Sequence, residues 1–298
     1  MHPDIFEQSV GNDFFNTLTG TTAAPCGSAR AETNMAPLNI IVTVKQVPDT
    51  NEVRIDPQTN SLMREGIPSI LNPEDANAVE AALRLRDEHG GTITAITMGP
   101  PQAEAVLEEV LCLGVDRAVL LSDRAFAGSD TLLTAFTLSR AVLKLKNFDL
   151  ILCGRQAIDG DTAQVGPQLA GFLDIPQVTY AEEIVFSEGA FRIQRGLEHT
   201  RELVMARPPV LVSVNASGPV PRYGSLYAVA GACSGERLRR WSAQDLALSS
   251  SMLGLSASPT AVKKIFEPDR SVKGEVLQGS EKEMAAQLVA RLREMNCL

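Results

Sequence analysis

A strand, a polar loop and a helix follow one another between residues 148 and 173, and this segment most constrains the fold. The apolar run at residues 150–153 is too short for a helix, so it predicts a buried strand that ends at Gly154. Apolar residues then recur at helical spacing, which predicts a helix that packs one face back onto the strand. These residues are Val165, Leu169, Phe172 and Leu173.

The loop between this strand and helix has features of a phosphate site. Asp161 followed by Gln164 has the form of a capping box, and Pro167 fits only in the first helical turn, so the helix starts as late as Gly166. Free backbone N–H groups and the helix dipole at such a start attract a phosphate. Asp159 and Asp161 would repel it, so they must cap backbone, face a ribose hydroxyl or point away. These residues alone leave two readings open, a nucleotide site and an ordinary strand-to-helix connection.

Strands alternate with helices over the first two thirds of the chain. Strands are predicted at residues 38–44, 92–98 and 118–121, and helices at 73–89, 103–113 and 131–146. This alternation predicts a parallel sheet covered on both faces. Such sheets bind ligands at the carboxyl ends of their strands, where the loops containing Lys45, Met98, Gly128 and Arg155 would meet.

The segments around this core predict a three-part chain. Residues 1–36 are polar and predicted to be a disordered extension or an upstream start, and residues 37–214 are the candidate nucleotide-binding domain. Residues 215–298 are predicted to be a C-terminal arm, in which residues 215–270 lack periodicity and are either disordered or lie on a partner. Within the domain, residues 53–64 predict an exposed hairpin, and the short β segments from residue 178 to residue 214 predict an antiparallel extension of the sheet. Residues 281–295 predict an amphipathic helix.

Composition and charge narrow the class of protein. The 298 residues are 44% hydrophobic and 21% charged, as in soluble globular proteins. The formal net charge of -9, without a dense Lys/Arg patch, argues against nucleic acid as a partner. The sequence contains no run of the ~20 apolar residues that a transmembrane helix needs. Five widely spaced cysteines without a C-x-x-C pair fit a reducing cytoplasm.

Catalytic and metal-binding motifs are missing from the sequence. His2, His89 and His199 stand at no metal-ligand spacing, and the sequence has no G-x-S-x-G, H-E-x-x-H, Walker or G-x-G-x-x-G motif. Cys153, at the end of a buried strand, is interpreted as a core residue rather than a nucleophile. We therefore predict no catalytic and no metal-ligating residues, and a binding protein whose chemistry belongs to its ligand.

Five motifs in a fixed order carry a family resemblance. They are residues 42–49 (VTVKQVPD), 72–75 (NPED), 98–100 (MGP), 154–166 (GRQAIDGDTAQVG) and 221–226 (PRYGSL). From residue 39 onward the chain resembles the β subunit of electron transfer flavoprotein. The resemblance implies an α/β fold with a doubly wound, mostly parallel sheet of the adenine-nucleotide-binding type, an antiparallel extension and an extended C-terminal arm. It also implies a heterodimer with an FAD-carrying α subunit that moves electrons between dehydrogenases and other acceptors.

The same resemblance implies which residues contact the cofactor. We add to this set of predicted contacts their neighbours in the strand-end loops. The backbone between Thr162 and Gly166 is expected to seat the phosphates, so Gly166→Val is expected to remove the nucleotide. Asp130 and Thr131, at a helix start, offer polar contacts to a larger ligand. The predicted contacts are Thr43, Val44, Lys45, Asn72, Asp75, Met98, Gly99, Asp130, Thr131, Asp159, Gly160, Asp161, Thr162, Ala163, Gln164, Val165 and Gly166.

Residues 215–232 resemble the family's dehydrogenase-docking loop. Leu226 is expected to be its apolar anchor, with Arg222 and Tyr223 as further partner contacts. The alternative is that Leu226 merely packs within the tail. The remaining tail is expected to lie against the α subunit, so the isolated chain should aggregate or be digested after about residue 214.

Two substitutions predict which nucleotide is bound. Family members that carry only AMP tend to have Val-Lys-Arg-Val after the first strand and a third acid in the central loop, where this chain has Gln46 and Gly160. It resembles the electron-bifurcating branch, in which the β subunit binds a second FAD that takes a hydride from NADH. The chain would then be an NADH-oxidising component that acts only with its α subunit, and an acyl-CoA dehydrogenase or similar flavoprotein would be its partner. The alternative is a single-flavin electron carrier with a structural AMP.

Two other classes of protein stay open. An adenylating enzyme would need a Ser/Gly-rich pyrophosphate loop after the first strand, and residues 45–48 (KQVP) are not one. A stand-alone nucleotide sensor would need no partner. Neither would be yellow when purified with its neighbour, so an absorption spectrum separates both from a flavoprotein.

Overall fold

The computed structural model describes residues 6–8, 37–49, 68–232, 237–262 and 274–298. The hairpin predicted across residues 53–64 lies outside these ranges, as does most of the N-terminal segment. The chain divides into two units, and the first extends to Ala261 and contains the sheet. The second consists of Ile55–Ser61 and Val262–Leu298. Within this second unit the structure describes residues 262 and 274–298.

The described residues of the first unit form a mixed sheet and a separate two-stranded ribbon of β3 with β4. In space the sheet strands follow the order β1-β10-β9-β8-β11-β7-β2-β5-β6-β12. In chain order the strands are β1 (Phe6–Gln8), β2 (Leu38–Thr43), β3 (Gln46–Pro48), β4 (Ser69–Leu71), β5 (Gly91–Met98), β6 (Arg117–Leu121), β7 (Leu150–Gly154), β8 (Gln177–Ser187), β9 (Ala190–Gly196), β10 (Arg201–Ala206), β11 (Val210–Val214) and β12 (Leu238–Trp241).

Most neighbouring strands are parallel, which confirms the predicted fold class. The parallel part runs from β8 through β11, β7, β2, β5 and β6 to β12, and β1, β10, β9 and β8 pair antiparallel. From β2 the chain moves to β5 and β6 on one side, and then crosses to β7 on the other side. The strand order therefore reverses between β2 and β7, the point at which open α/β sheets bind ligands.

Two helix layers cover the two faces of the sheet, as the alternation predicted. Residues of α1 and α2 belong to one buried apolar cluster, and residues of α3 and α4 belong to the other. In chain order the helices are α1 (Pro73–His89), α2 (Glu104–Leu113), α3 (Thr131–Leu145), α4 (Val165–Leu173), α5 (Leu226–Ala232), α6 (Gly254–Ala257) and α7 (Glu281–Glu294).

The predicted antiparallel extension is correct for β8 to β10 and wrong for β11. Val210–Val214 lie between β7 and β8 and pair parallel with both. All five residues are buried, as is typical of a central parallel strand. The two segments predicted from residue 178 to residue 186 are also one strand, β8, whose pairing is irregular between Ala181 and Glu183.

The tail rejoins the sheet, so the domain boundary predicted at residue 214 is wrong. Leu238–Trp241 pair parallel with β6, and Ala243, Leu246 and Leu253 are buried in the second apolar cluster. Residues up to Ala261 therefore belong to the first unit. At the opposite edge, Phe6–Gln8 pair with β10, although residues 1–36 were predicted to be disordered.

The second unit contains α7, which begins with a capping box. The side chain of Ser280 and that of Glu283 satisfy each other's backbone N–H groups. The helix has the predicted amphipathic sequence, but none of its residues is buried. Leu288 and Val289 are 50% and 40% exposed.

Candidate functional site

The predicted cofactor residues meet at the carboxyl edge of the parallel strands. Hydrogen bonds between backbones continue past the strand ends, from Val44 N–H to the carbonyl of Ile96 at 2.9 Å and from Gly99 N–H to the carbonyl of Leu121 at 3.0 Å. The ends of β2, β5 and β6 are therefore in register, and the starts of α3 and α4 lie beside them. Thr43 and Val44 are buried at the end of β2, and Met98 packs partly against the second apolar cluster.

Asp75 joins the two strands at which the order reverses. Its carboxylate accepts the backbone N–H of Lys45, after β2, at 2.8 Å and that of Gly154, at the end of β7, at 2.9 Å. A Cβ at Gly154 would lie 2.5 Å from the carboxylate oxygen, so glycine is required for this approach. Both oxygens are used within the protein, and Asp75 therefore shapes the edge of the sheet.

Burial gives this carboxylate an unusual pKa. Desolvation raises the pKa of Asp75 from 3.8 to about 7, although the backbone N–H of Gly154 and the side chain of Asn72 oppose the change. Because the folded-state pKa lies above the ordinary value, the associated stability is fully present below about pH 4 and is lost as the pH rises to about 7. Burial, with the charges of Asp75 and Glu74, also raises the pKa of Cys153, so this thiol is no nucleophile at neutral pH.

Asn72 and Glu74 bind the loop that follows β7. The amide of Asn72 donates to the carbonyl of Gln156 at 2.9 Å and accepts the N–H of Ile158 at 3.2 Å. Asn72 is the N-cap residue of α1, but its side chain makes no cap hydrogen bond to that helix. Glu74 accepts the N–H of Gln156 at 2.9 Å and pairs with the Arg155 guanidinium at 3.1 Å. The start of α1 therefore fixes the start of the loop.

The two acids of the loop both have partners within the protein, a lysine for Asp159 and a neutral amide for Asp161. Lys45 Nζ lies 2.6 Å from a carboxylate oxygen of Asp159, and the amide of Gln156 donates to Asp161 at 2.8 Å. Asp161 and Ala163 adopt positive φ angles of 47° and 52°, so the backbone turns tightly before α4. The predicted capping box of Asp161 with Gln164 is wrong, because the N-cap residue is Gln164 and no side chain caps the helix.

The start of α4 leaves backbone donors available. The N–H groups of Thr162 and Ala163 donate to no acceptor in the part of the chain that the structure describes. Val165 is the first helical residue, with Pro167 in the first turn as predicted. Thr131, at the start of α3, donates to the side chain of Gln164 at 3.0 Å, so the starts of the two helices are joined.

Gly166 faces the core of the protein. A Cβ at this position would lie 2.7 Å from Cys153 Sγ, closer than carbon and sulfur pack. Gly166→Val would therefore disturb the contact between α4 and β7 whether or not a nucleotide is bound. By contrast, nothing lies within 4 Å of a Cβ at Gly160. Of the two glycines, Gly160 is the one at which a side chain can be added without disturbing the core.

Asp130 is engaged in structure. It lies at a helix start, as predicted, and its carboxylate caps α3 by accepting the N–H of Leu133 at 3.1 Å. Its other oxygen accepts the N–H and the hydroxyl of Thr260, at 3.1 and 2.8 Å. Burial opposes its ionisation, but these hydrogen bonds keep the pKa of Asp130 below its ordinary value. Its carboxylate thus fastens the end of the first unit to α3 and has little capacity left for a cofactor.

Two of the three predicted partner residues have exposed side chains, and the side chain of the third forms ion pairs within the protein. Tyr223 and Leu226 are 99% and 91% exposed. The predicted loop is in part helical, because Leu226 begins α5. Arg222 instead lies on α1, where its guanidinium binds Glu80 and Asp87.

Reasoning from the sequence missed Glu74 and Gln156, and it placed the loop of Arg155 at this edge without predicting the ion pair of Arg155 with Glu74. Glu74 lies in the first turn of α1, where an acid is ordinarily exposed, but it is only 6% exposed. The available signals were an acid at the start of a helix, Glu74, and an Arg-Gln pair directly after a strand, Arg155 and Gln156. Using them needed the additional knowledge that α1 starts next to β7.

Comparison with known proteins agrees with this geometry. Residues 59–236 match the profile of the family described as "Electron transfer flavoprotein domain". The chain is 48% identical over 261 residues to electron transfer flavoprotein subunit beta of Thermoanaerobacterium thermosaccharolyticum, covering 88% of this chain and 100% of the relative. It is 46% identical over 263 residues to caffeyl-CoA reductase-Etf complex subunit CarD of Acetobacterium woodii, with coverage of 88% and 100%. Protein FixA of Sinorhizobium fredii is 39% identical over 267 residues, with coverage of 86% and 93%.

The fold defines a doubly wound α/β protein, and the candidate site lies at the reversal of strand order between β2 and β7. The matches identify it further, because they cover most of the chain and nearly all of each relative. The chain belongs to the electron transfer flavoprotein family, among its β subunits. No helix in the described residues is long and apolar enough to cross a membrane.

Proposed function

We propose that this β subunit pairs with an α subunit, binds FAD at the edge between β2 and β7, and takes electrons from NADH by flavin-based bifurcation. The observation that carries the proposal is the loop of residues 159–166. It lies where doubly wound sheets bind ligands, Lys45 neutralises Asp159, Asp161 is hydrogen-bonded to Gln156, and the backbone donors at Thr162 and Ala163 are available. A flavin bound there would supply hydride and single-electron chemistry.

The residues of this edge fit a dinucleotide. Lys45 brings a positive charge to the loop, and the N–H groups before α4 suit a phosphate. Thr131 extends the polar edge toward the start of α3, where a longer ligand than AMP would reach. Asp75, Asn72 and Glu74 keep the strand ends and the loop in place. In this proposal the chain's own side chains orient the ligand and perform no proton transfer.

The partners follow from the family. The name of the Acetobacterium woodii relative describes a complex with a caffeyl-CoA reductase. We infer that this heterodimer likewise exchanges electrons with a flavoprotein that acts on acyl-CoA substrates, such as an acyl-CoA dehydrogenase. Tyr223 and Leu226 would provide the apolar contact for it. The reduced state of Cys153 and Cys297 fits our expectation that the protein works in the cytoplasm.

A pair of substitutions at Gly160 tests the FAD site. A Cβ there is unobstructed and the residue is exposed, so neither Gly160→Asp nor Gly160→Asn should affect folding. The two side chains have nearly the same size and differ in charge. We expect Gly160→Asp to weaken FAD binding by about five- to tenfold, since one like charge near a phosphate costs about 1 kcal/mol in water, and Gly160→Asn to bind within twofold of the parent.

Titration of the flavin-free heterodimer with FAD measures this difference. Equal affinities of the Asp and Asn variants would show that no phosphate lies near the loop. If the parent heterodimer binds AMP in place of FAD, with the same charge dependence, the loop is the phosphate site and the protein is the single-flavin carrier.

A further inference from the structure

The segment that carries the exposed apolar side chains is fastened to the body of the first unit at three points. The amide of Asn77 on α1 donates to the carbonyl of Pro219 at 2.9 Å. Arg222 lies across the same helix. At Gly224 a Cβ would lie 2.3 Å from the carbonyl oxygen of Cys112, so the backbone passes directly over the end of α2. The attachments alternate with exposed residues along the chain.

Arg222 makes the strongest of these attachments. Its Nε and Nη2 donate to the two carboxylate oxygens of Glu80 at 2.8 and 3.1 Å, and its backbone N–H donates to the same carboxylate at 3.2 Å. Its Nη1 donates to Asp87 at 2.6 Å. This two-pronged geometry fixes the direction of the side chain as well as its distance. Because Glu80 is only 4% exposed, the ion pair is protected from solvent on the side of the helix.

The electrostatics fit a permanent attachment. Burial opposes ionisation of Glu80, but hydrogen bonds from Arg222 and Arg84 keep its pKa below the ordinary value. The hydrogen bonds to Glu80 and Asp87 likewise raise the pKa of Arg222. The pair is therefore charged over the whole physiological pH range.

The residues just after this attachment are among the most exposed apolar side chains that the structure describes. Tyr223, Leu226 and Tyr227 are 99%, 91% and 86% exposed. Three large side chains with this exposure within a short segment, residues 223–227, are typical of an interaction surface. An interaction surface on a short segment binds better when its conformation is fixed beforehand, because less conformational entropy is lost on binding.

We infer that Arg222 is a positioning residue, which fixes the Tyr223–Tyr227 surface against α1 through Glu80 and does not itself contact the electron-transfer partner. This inference rests on the proposed function for the identity of the partner, an acyl-CoA dehydrogenase-type flavoprotein. It replaces the direct partner contact that the sequence predicted for Arg222. The geometry itself can be tested without any partner.

The test uses substitutions on both sides of the ion pair, in the purified heterodimer. Glu80→Gln removes the charge from a residue that no partner can reach. If Arg222 acts by positioning, Glu80→Gln and Arg222→Ala should each raise the KM of the dehydrogenase for the heterodimer at least fivefold, with kcat within twofold of the parent. Arg222→Lys should give an intermediate KM, because lysine keeps the charge and loses the two-pronged contact. Arg84→Ala is the matched control and should leave KM unchanged, since Arg84 binds Glu80 from the solvent side.

A double substitution separates positioning from direct contact. In the Leu226→Ala background, loss of Arg222 should raise KM no further, because the surface that it positions is already lost. If Arg222→Ala raises KM while Glu80→Gln does not, Arg222 contacts the partner and the inference is overturned. Additive effects of Arg222→Ala and Leu226→Ala would overturn it as well.

Limited proteolysis tests the attachment independently of electron transfer. Chymotrypsin should cleave at Tyr223 and Tyr227 at least fivefold faster in Glu80→Gln than in the parent, with an unchanged thermal midpoint for the rest of the protein. Unchanged cleavage rates would show that the ion pair does not hold the segment, and would overturn the inference. If the parent heterodimer transfers no electrons to any dehydrogenase, the proposed function fails, and the cleavage rates still decide whether Arg222 and Glu80 fix the segment.

Discussion

Gly166→Ala tests how closely α4 packs against β7. The new Cβ would lie 2.7 Å from Cys153 Sγ, and Leu211 Cδ2 would lie 3.6 Å away. Cys153 is 5% exposed at the end of a central strand, so its thiol has little room to move. Either α4 shifts outward or the thiol leaves its preferred rotamer.

The size of the effect follows from two opposing contributions. Overpacking of a core by one methyl group costs about 1 to 3 kcal/mol. Replacing glycine by alanine within a helix returns up to about 1 kcal/mol, and less in the first turn, where residue 166 lies. We therefore expect a net loss of about 1 to 2 kcal/mol, which corresponds to a decrease of about 2 to 8 °C in the thermal midpoint of a domain of this size.

Thermal unfolding of a matched set of variants measures this contribution. Gly171→Ala is the control, because residue 171 lies in the same helix and nothing is within 4 Å of its Cβ, so this variant should be as stable as the parent or slightly more stable. Cys153→Ala removes the sulfur, and the double variant with Gly166→Ala should recover at least about 1 kcal/mol relative to the sum of the single changes. Strictly additive effects, or a Gly166→Ala variant as stable as the parent, would refute the packing argument.

Three further substitutions test the connections around the strand ends. Asp75→Asn places an amide donor against a backbone N–H, so we expect the free energy of unfolding at pH 8 to decrease by about 1 to 3 kcal/mol. The fall in stability between about pH 4 and 7 should also disappear. A variant whose stability depends on pH as the parent's does would show that Asp75 is ionised throughout. Asn72→Ala removes both bonds to the loop, so amide hydrogen exchange at residues 156–158 should accelerate roughly tenfold, and unchanged protection would contradict this. Lys45→Ala should change the free energy of unfolding by less than about 1 kcal/mol, because the Lys45 side chain is largely exposed in its ion pair with Asp159. It should nevertheless lower the affinity for the nucleotide. A variant that binds the nucleotide as tightly as the parent would exclude Lys45 from the site.

The central sheet could be predicted from the sequence because burial of its strands is a local pattern. The run at residues 150–153 and the helix that follows it are recognisable without their neighbours. The direction of β11 is not local, since it depends on its insertion between β7 and β8 after two hairpins. β12 was missed because Leu238–Trp241 lie at the edge of the sheet and contain two exposed arginines, so no apolar run marks them.

The sequence indicated where in the fold the candidate site lies, but it did not predict the hydrogen bonds and ion pairs within that site. The position of each loop follows from the strand ends, which the alternation determines. The bonds of Asp75 to Lys45 and Gly154 connect residues that are 30 and 79 positions apart, so no local pattern contains them. For the same reason the sequence predicted repulsion from Asp159 and could not show that Lys45 neutralises it.

The nucleotide content of the purified heterodimer tests the central claim most directly. The protein should be isolated with its α subunit, its flavin and adenine nucleotides released and counted, and its absorption spectrum recorded during addition of NADH. We predict two FAD per heterodimer, no AMP and bleaching of the flavin by NADH. One FAD with one AMP per heterodimer, and a spectrum that NADH does not change, would contradict the proposal of a bifurcating β subunit.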